Sequence, residues 1–190
     1  MPEFTTMAFG ESWGVKDWTT SSVREIIARE VTRSWKVRGM GDFAVGLRSE
    51  HQNLEHDNDV REHGFKIAEA EVQRLEDVRW IGYVGIRDAT TTSMLNELTA
   101  VSSTRGWQEM VELRYGFYPD AWGKGFGTEA AKAVMGWGQQ EKGVQRFIAE
   151  TERENKGSGA ILGKLGFVEI EEETEVIWGM EGTKEWERGI

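Results

Sequence analysis

The chain has 190 residues, 38% hydrophobic and 29% charged, with a formal net charge of -10 and no cysteine. That size suits a single domain over residues 1–190, and the missing cysteines exclude disulfides, thiolate metal sites and a cysteine nucleophile. The acidic balance argues against nucleic acid, and no apolar run is long enough for a membrane span, so a soluble, cytoplasmic protein without a membrane partner is expected.

Met1 to Met7 differ in character from the rest of the chain, and Met7 is a candidate natural start. Ser22 and Glu25 stand three apart ahead of Val23, Ile27 and Val31, which recur every fourth residue. That spacing predicts a capped amphipathic helix from about Ser22 to Lys36. Gly39 and Gly41 end it, and Asp42 to Leu47 reads as a strand. Gln52 to Arg79 is highly charged and is expected to be a polar insertion or lid, with an exposed helix near its middle. His51, His56 and His63 lie in or beside it at spacings that match no zinc pattern, so no metal is expected. Trp80 to Ile86 reads as a strand, and Thr90 to Gly106 as a Ser/Thr-rich loop.

Val111, Leu113, Tyr115 and Phe117 alternate with Glu112, Arg114 and Gly116, the two-residue period of another strand. Pro119 and Asp120 stop it. A glycine-rich turn and a helix from about Thr128 to Gln140 come next. Arg146 to Glu150 reads as a buried strand and Lys156 to Lys164 as a short helix. Two last strands are expected near Phe167 to Glu171 and Glu175 to Met180. Strands before and after helices, with short links, predict an α+β or mixed α/β sheet.

The turn Trp122-Gly123-Lys124-Gly125-Phe126-Gly127-Thr128 sits between strand and helix. Glycines at alternate positions let successive N–H groups converge, and the helix start adds unpaired amides and a positive dipole end. A chain of net negative charge can hold a pyrophosphate on such main-chain dipoles, with Lys124 as one added cation. A dinucleotide-binding fingerprint is a rival reading: Gly125, Gly127 and Ala130 fit its spacing, and Glu150 stands about 20 residues on, where a ribose-binding acid belongs. Against it, Pro119 to Lys124 intervene between strand and glycines, and only about 40 residues remain after Glu150, too few for a second half-sheet.

With these pieces in order, the chain resembles the GNAT superfamily of N-acetyltransferases, in particular its ribosomal-protein (RimJ/RimL-like) branch. The likeness runs from about Trp80 to Trp186. It is carried by Glu112-Leu113-Arg114-Tyr115, by Pro119, by Trp122 to Ala130, by Glu154-Asn155-Lys156-Gly157-Ser158, by Lys164-Leu165-Gly166-Phe167, and by Thr183-Lys184-Glu185-Trp186 as a final turn. The resemblance implies a central, twisted, mostly antiparallel sheet, splayed in the middle, with flanking helices. It implies acetyl-coenzyme A as cofactor. The pantetheine arm would pair with the backbone near Gly116, Phe117 and Tyr118, and the pyrophosphate would lie on Gly123, Lys124, Gly125, Phe126, Gly127 and Thr128. Trp122 replaces a frequent Gln or Arg. Asn155 would bond the pantetheine, or else cap its helix, and Ser158 would face the thioester sulfur.

The implied reaction is acetyl transfer to a primary amine, of a small molecule or a protein N-terminus, by direct attack. Glu112 is the candidate base, with a strand glutamate paired to Arg114 as the alternative. Ser158 is a weaker candidate for the leaving thiolate. Leu162 stands where many members carry an acid tyrosine, leaving Tyr115 and Tyr118 as substitutes. The region before Ser22 is atypically short for the superfamily, so completion of the site by a homodimer, or a non-catalytic acyl-coenzyme A binding module, are the alternatives. Trp13, Trp18 and Trp107 are candidates to wall a pocket for the acceptor, which the net charge suggests is cationic.

Overall fold

The computed structural model describes residues 19–47, 78–92, 105–171 and 177–190. The charged stretch 52–77, the three histidines, Trp13 and Trp18 lie outside the described residues. Helix α1, Thr20–Glu30, continues through a π turn, Val31–Trp35, into a last turn, Lys36–Arg38. Its cap lies ahead of the Ser22–Glu25 pattern. Thr19 Oγ1 accepts from the Ser22 amide at 3.1 Å, so Ser22 is the third helical residue and Thr19 the cap. Thr19 offers the same hydroxyl from an extended backbone, and it stands three residues before an amide that needs a partner. Past the π turn, Trp35 meets Phe43 edge-on at 5.0 Å, and Phe43 meets Trp137 at 5.4 Å.

Among the described residues six strands form the sheet: β1 Asp42–Leu47, β2 Arg79–Asp88, β3 Val111–Phe117, β4 Arg146–Glu152, β5 Val168–Glu169 and β6 Thr183–Gly189. Their order is β1-β2-β3-β4-β6-β5. Every neighbouring pair is antiparallel except β3 with β4. That parallel pair is joined through helix α2, Phe126–Lys142, the crossover that parallel strands require. Helix α3, Lys156–Lys164, comes after β4. The mixed, mostly antiparallel sheet expected from the sequence is present, and its middle is splayed. β3 and β4 pair only at Val111 with Phe147 and at Glu112 with Ile148, then part.

Residues paired across strands share a face. On the back face, Val84, Ile86, Val111, Leu113 and Phe147 meet Ala131, Val134 and Met135 of α2 and Leu162 of α3 in the main core. Phe147 is fully buried, worth about 1.5–3 kcal/mol relative to exposure. On the front face, Ile148 is covered by Ala89, Met110, Ile177 and Trp178. The same face carries Arg87, Glu112, Arg114, Glu150 and Glu185.

The C-terminal expectation needs correction. Residues 177–180 form no strand; the amides of Ile177, Trp178 and Gly179 donate to the Glu185 carboxylate at 2.6, 2.7 and 2.7 Å. The last strand is Thr183–Gly189, in place of the expected final turn, and it inserts between β4 and β5. Its charge disguises it: Trp186 faces the core and the flanking glutamates face the other side. Gly159 of α3 lies against this tryptophan; a Cβ there would stand 3.4 Å from Trp186 Cζ2.

Candidate active site

The parted strands leave a slot, and the β2–β3 ladder decides what faces it. The Tyr118 amide donates to the Ile81 carbonyl at 2.9 Å, so Ile81 and Tyr118 are a hydrogen-bonded pair. Bonded and non-bonded pairs alternate along an antiparallel ladder. Gly116 therefore bonds back to Tyr83 on β2, while Tyr115 and Phe117 turn their N–H and C=O groups toward β4. Beyond Glu112, β4 no longer pairs with them. The three residues Gly116 to Tyr118 therefore differ in what their backbone faces. Gly116 and Tyr118 are engaged with β2, and the Tyr118 carbonyl also accepts from Ala121 at 2.9 Å. Of the three, Phe117 presents its main chain to the slot, and its carbonyl accepts from Trp122 Nε1 at 2.7 Å.

Pro119 removes a ladder donor and begins the 3-10 turn Pro119–Ala121. The glycine loop then leads into α2. Gly123 has φ of 71° and Gly125 of 87°, where an L side chain is strained. A Cβ at either would meet nothing within 4 Å, so open space rather than packing surrounds the turn. The first helical bond is Glu129 N–H to Gly125 O at 3.1 Å. The amides of Phe126, Gly127 and Thr128 thus have no intrahelical partner, and no side chain caps them. Gly127 is a close approach instead: a Cβ would stand 2.9 Å from Ile161 Cδ1 and 3.4 Å from Phe117 Cε2. Phe126 packs beside Ile81, Phe117 and Ala121. Lys124 Nζ turns back to donate to the Asp120 carbonyl at 2.8 Å, and Asp120 pairs with Arg79 at 2.6 Å.

On the front face the Glu112 side chain is buried in an ion pair. Its oxygens accept from Arg87 Nε and Nη2 at 2.7 and 3.2 Å, with Arg114 Nε at 3.8 Å. A base needs an oxygen open to a substrate proton, and this carboxylate is engaged. Arg114 also pairs with Asp42 at 3.2 Å, and burial raises the Asp42 pKa despite it. On the back face the Tyr115 hydroxyl donates to the Ser158 carbonyl at 3.1 Å. Burial pushes this phenol well above its usual range, so it is a weak proton source. Asn155 Oδ1 accepts from the Ser158 amide at 3.0 Å and so caps α3. Leu162 is fully buried in the core. Trp107 packs against that core with Arg38 at 4.9 Å over its ring.

Glu150 is the residue that sequence reasoning undervalues, since spacing alone offers it only as a ribose ligand. It lies on β4 two residues past Ile148, where the strands have parted, on the same face as Glu112. Its Oε1 is buried and has no hydrogen-bond partner. Burial raises its pKa; a Thr183 hydrogen bond opposes the shift, and Glu112, Glu185 and Glu152 add to it. Glu185 stands directly across the ladder, its charge held by three amides, so the two carboxylates oppose each other. The signal in the sequence is an acidic residue within a strand of buried neighbours.

A strand-edge slot beside an amide cradle at a helix start suits a ligand with a pyrophosphate and an amide-bearing arm. A family model for the acetyltransferase (GNAT) domain matches residues 2–168. Solved structures share the fold at low identity. An acetyltransferase from Agrobacterium tumefaciens str. C58 has 16% identity and a TM-score of 0.59, covering 98% of this chain and 78% of that one. A spermidine N-acetyltransferase from Vibrio cholerae, in complex with CoA and spermine, has 12% identity and a TM-score of 0.56, covering 99% and 83%. A phosphinothricin acetyltransferase from Sinorhizobium meliloti, in complex with AcCoA, has 18% identity and a TM-score of 0.50, covering 88% and 69%. No curated protein matches the chain. With the family model spanning most of its length, the chain belongs to the acetyltransferase (GNAT) domain family.

Proposed function

We propose that this chain transfers an acetyl group from acetyl-coenzyme A to a primary amine by direct attack, as a RimJ/RimL-like member of the family. The observation that carries the reading is the parting of β3 from β4 beside three helix-start amides without intrahelical partners. The amides of Phe126, Gly127 and Thr128, behind the bend at Gly123 and Gly125, would hold the pyrophosphate. The main chain of Tyr115 and Phe117 would pair with the pantetheine arm. Asn155 would keep α3 and Ser158 in place, with the Ser158 hydroxyl toward the leaving sulfur. When bound, acetyl-coenzyme A supplies the activated acetyl group.

Glu150 takes the acceptor's proton. An alkyl ammonium, with pKa of about 10.4, must lose a proton before its nitrogen can attack. A carboxylate raised by burial lies closer to neutral pH than an ordinary one, and Oε1 is uncommitted. Glu150 takes the ammonium proton, the freed nitrogen would bond to the acetyl carbon, the carbon–sulfur bond would break, and the second N–H proton would go to the leaving thiolate. Glu112, matched to a strand glutamate of the branch, holds Arg87 and shapes the acceptor face. A cationic acceptor suits the chain's negative charge, and the spermidine N-acetyltransferase with the same fold supports an amine.

The test is thiol release from acetyl-coenzyme A against a panel of polyamines, amino-acid amides and N-terminal peptides. Turnover with an amine is expected; coenzyme A binding with no turnover would leave the non-catalytic binding module instead. That alternative draws on the fully buried Leu162, which offers no hydroxyl acid.

A further inference from the structure

Trp122 opens the glycine loop, yet its indole takes no part in an amide cradle. Its Nε1–H donates to the Phe117 carbonyl at 2.7 Å, while the residue stays 42% exposed. That carbonyl is one that β3 turns toward the slot, because Phe117 lies one step from the bonded pair of Ile81 and Tyr118. β4 has already left β3 at this level. The indole therefore lies at the slot, on an acceptor that an added strand-like amide would use. The bond is at the short end for N–H···O, and a bicyclic ring on this approach leaves little room for a second donor from the same side.

The loop allows the ring to move without unpacking the core. Trp122 keeps its own place through its amide, which donates to the Pro119 carbonyl at 3.1 Å. Gly123 comes next, with φ of 71° and no heavy atom within 4 Å of where a Cβ would be. A half-exposed indole that gives up this bond can donate to water, so opening costs no more than the net worth of one hydrogen bond.

We propose that Trp122 is a gate on the cofactor slot: its indole N–H holds the Phe117 carbonyl until an amide of the pantetheine arm replaces it. The residue thereby lowers cofactor affinity by competition, in contrast to a wall that adds to it. The proposal rests on the coenzyme A reading above.

The test compares wild type with Trp122→Phe, which keeps a ring and removes the donor. Calorimetry uses coenzyme A and, separately, its nucleotide half without the pantetheine arm. The variant is expected to bind coenzyme A roughly fivefold tighter, the scale of one net hydrogen bond, and the nucleotide half equally. Equal or weaker coenzyme A binding by the variant, with wild-type binding intact, overturns the gate alone. Absence of coenzyme A binding in both forms overturns the acetyl-transfer reading and the gate with it. A second measurement uses wild-type protein: the indole proton missing from the Trp122→Phe spectrum should exchange with water faster once coenzyme A is bound. Unchanged protection overturns the gate.

Discussion

At the scale of single residues, two glutamates on one face have different surroundings, and hence different proposed roles. Glu112 is satisfied by Arg87, and their side chains are each 12% exposed. Removing one partner of such a pair leaves a buried charge alone, at a cost of about 3–5 kcal/mol. Glu112→Gln should lower the melting temperature by several degrees while any surviving activity keeps the wild-type pH profile. Glu150 is the converse case, desolvated and facing Glu185. Glu150→Gln should reduce kcat by about 10²-fold at neutral pH and remove the acidic limb of the pH–rate profile. A Glu112→Gln enzyme that alone lost this limb would return the base to Glu112. Stability gives an independent check. The raised pKa means that the folded chain prefers Glu150 protonated. Its penalty is absent below the ordinary carboxylate range, near 4.5, grows as pH rises from there to the raised value, and is constant above it. Glu150→Gln should therefore melt higher than wild type at about pH 7 and show no such gain near pH 3.

At the scale of elements, the cradle depends on a bend that only glycine enters without strain. Gly125→Ala should cost about 1–2 kcal/mol through its φ of 87° and weaken coenzyme A binding at least tenfold, because relief of that strain would shift the bend that leads into the helix amides. Calorimetry reads the affinity and thermal melting the stability. Unchanged affinity would place the pyrophosphate elsewhere. The elements themselves are largely legible in the sequence. β1 and α3 have the bounds read from the sequence, where Gly39 and Gly41 precede the one and Gly166 follows the other. The C-terminal strand is not legible. Thr183–Gly189 reads as charged because both of its faces carry ionic side chains around one tryptophan, and nothing local reveals that β4 lies beside it.

At the scale of the whole molecule, a net charge of -10 should draw in a cationic acceptor, while the proposed cradle would hold an anion chiefly by main-chain dipoles. The KM for a polyamine should then rise severalfold as salt goes from about 0.01 M to about 1 M, where the screening length falls from roughly 30 Å to roughly 3 Å. The KM for acetyl-coenzyme A should not rise in parallel, since salt also screens the repulsion between the acidic chain and the anionic cofactor. Equal sensitivity of both would remove the long-range argument. The sequence by itself determined the order of strands and helices as far as β5, the glycine bend, the absence of a cysteine nucleophile and the resemblance to an acetyltransferase, because those rest on local spacing and composition. Only the tertiary structure decided which carboxylate is engaged, which carbonyl faces the slot and what Trp122 bonds. These depend on ladder register and on partners such as Arg87 and Glu112, 25 positions apart, which no local pattern brings together.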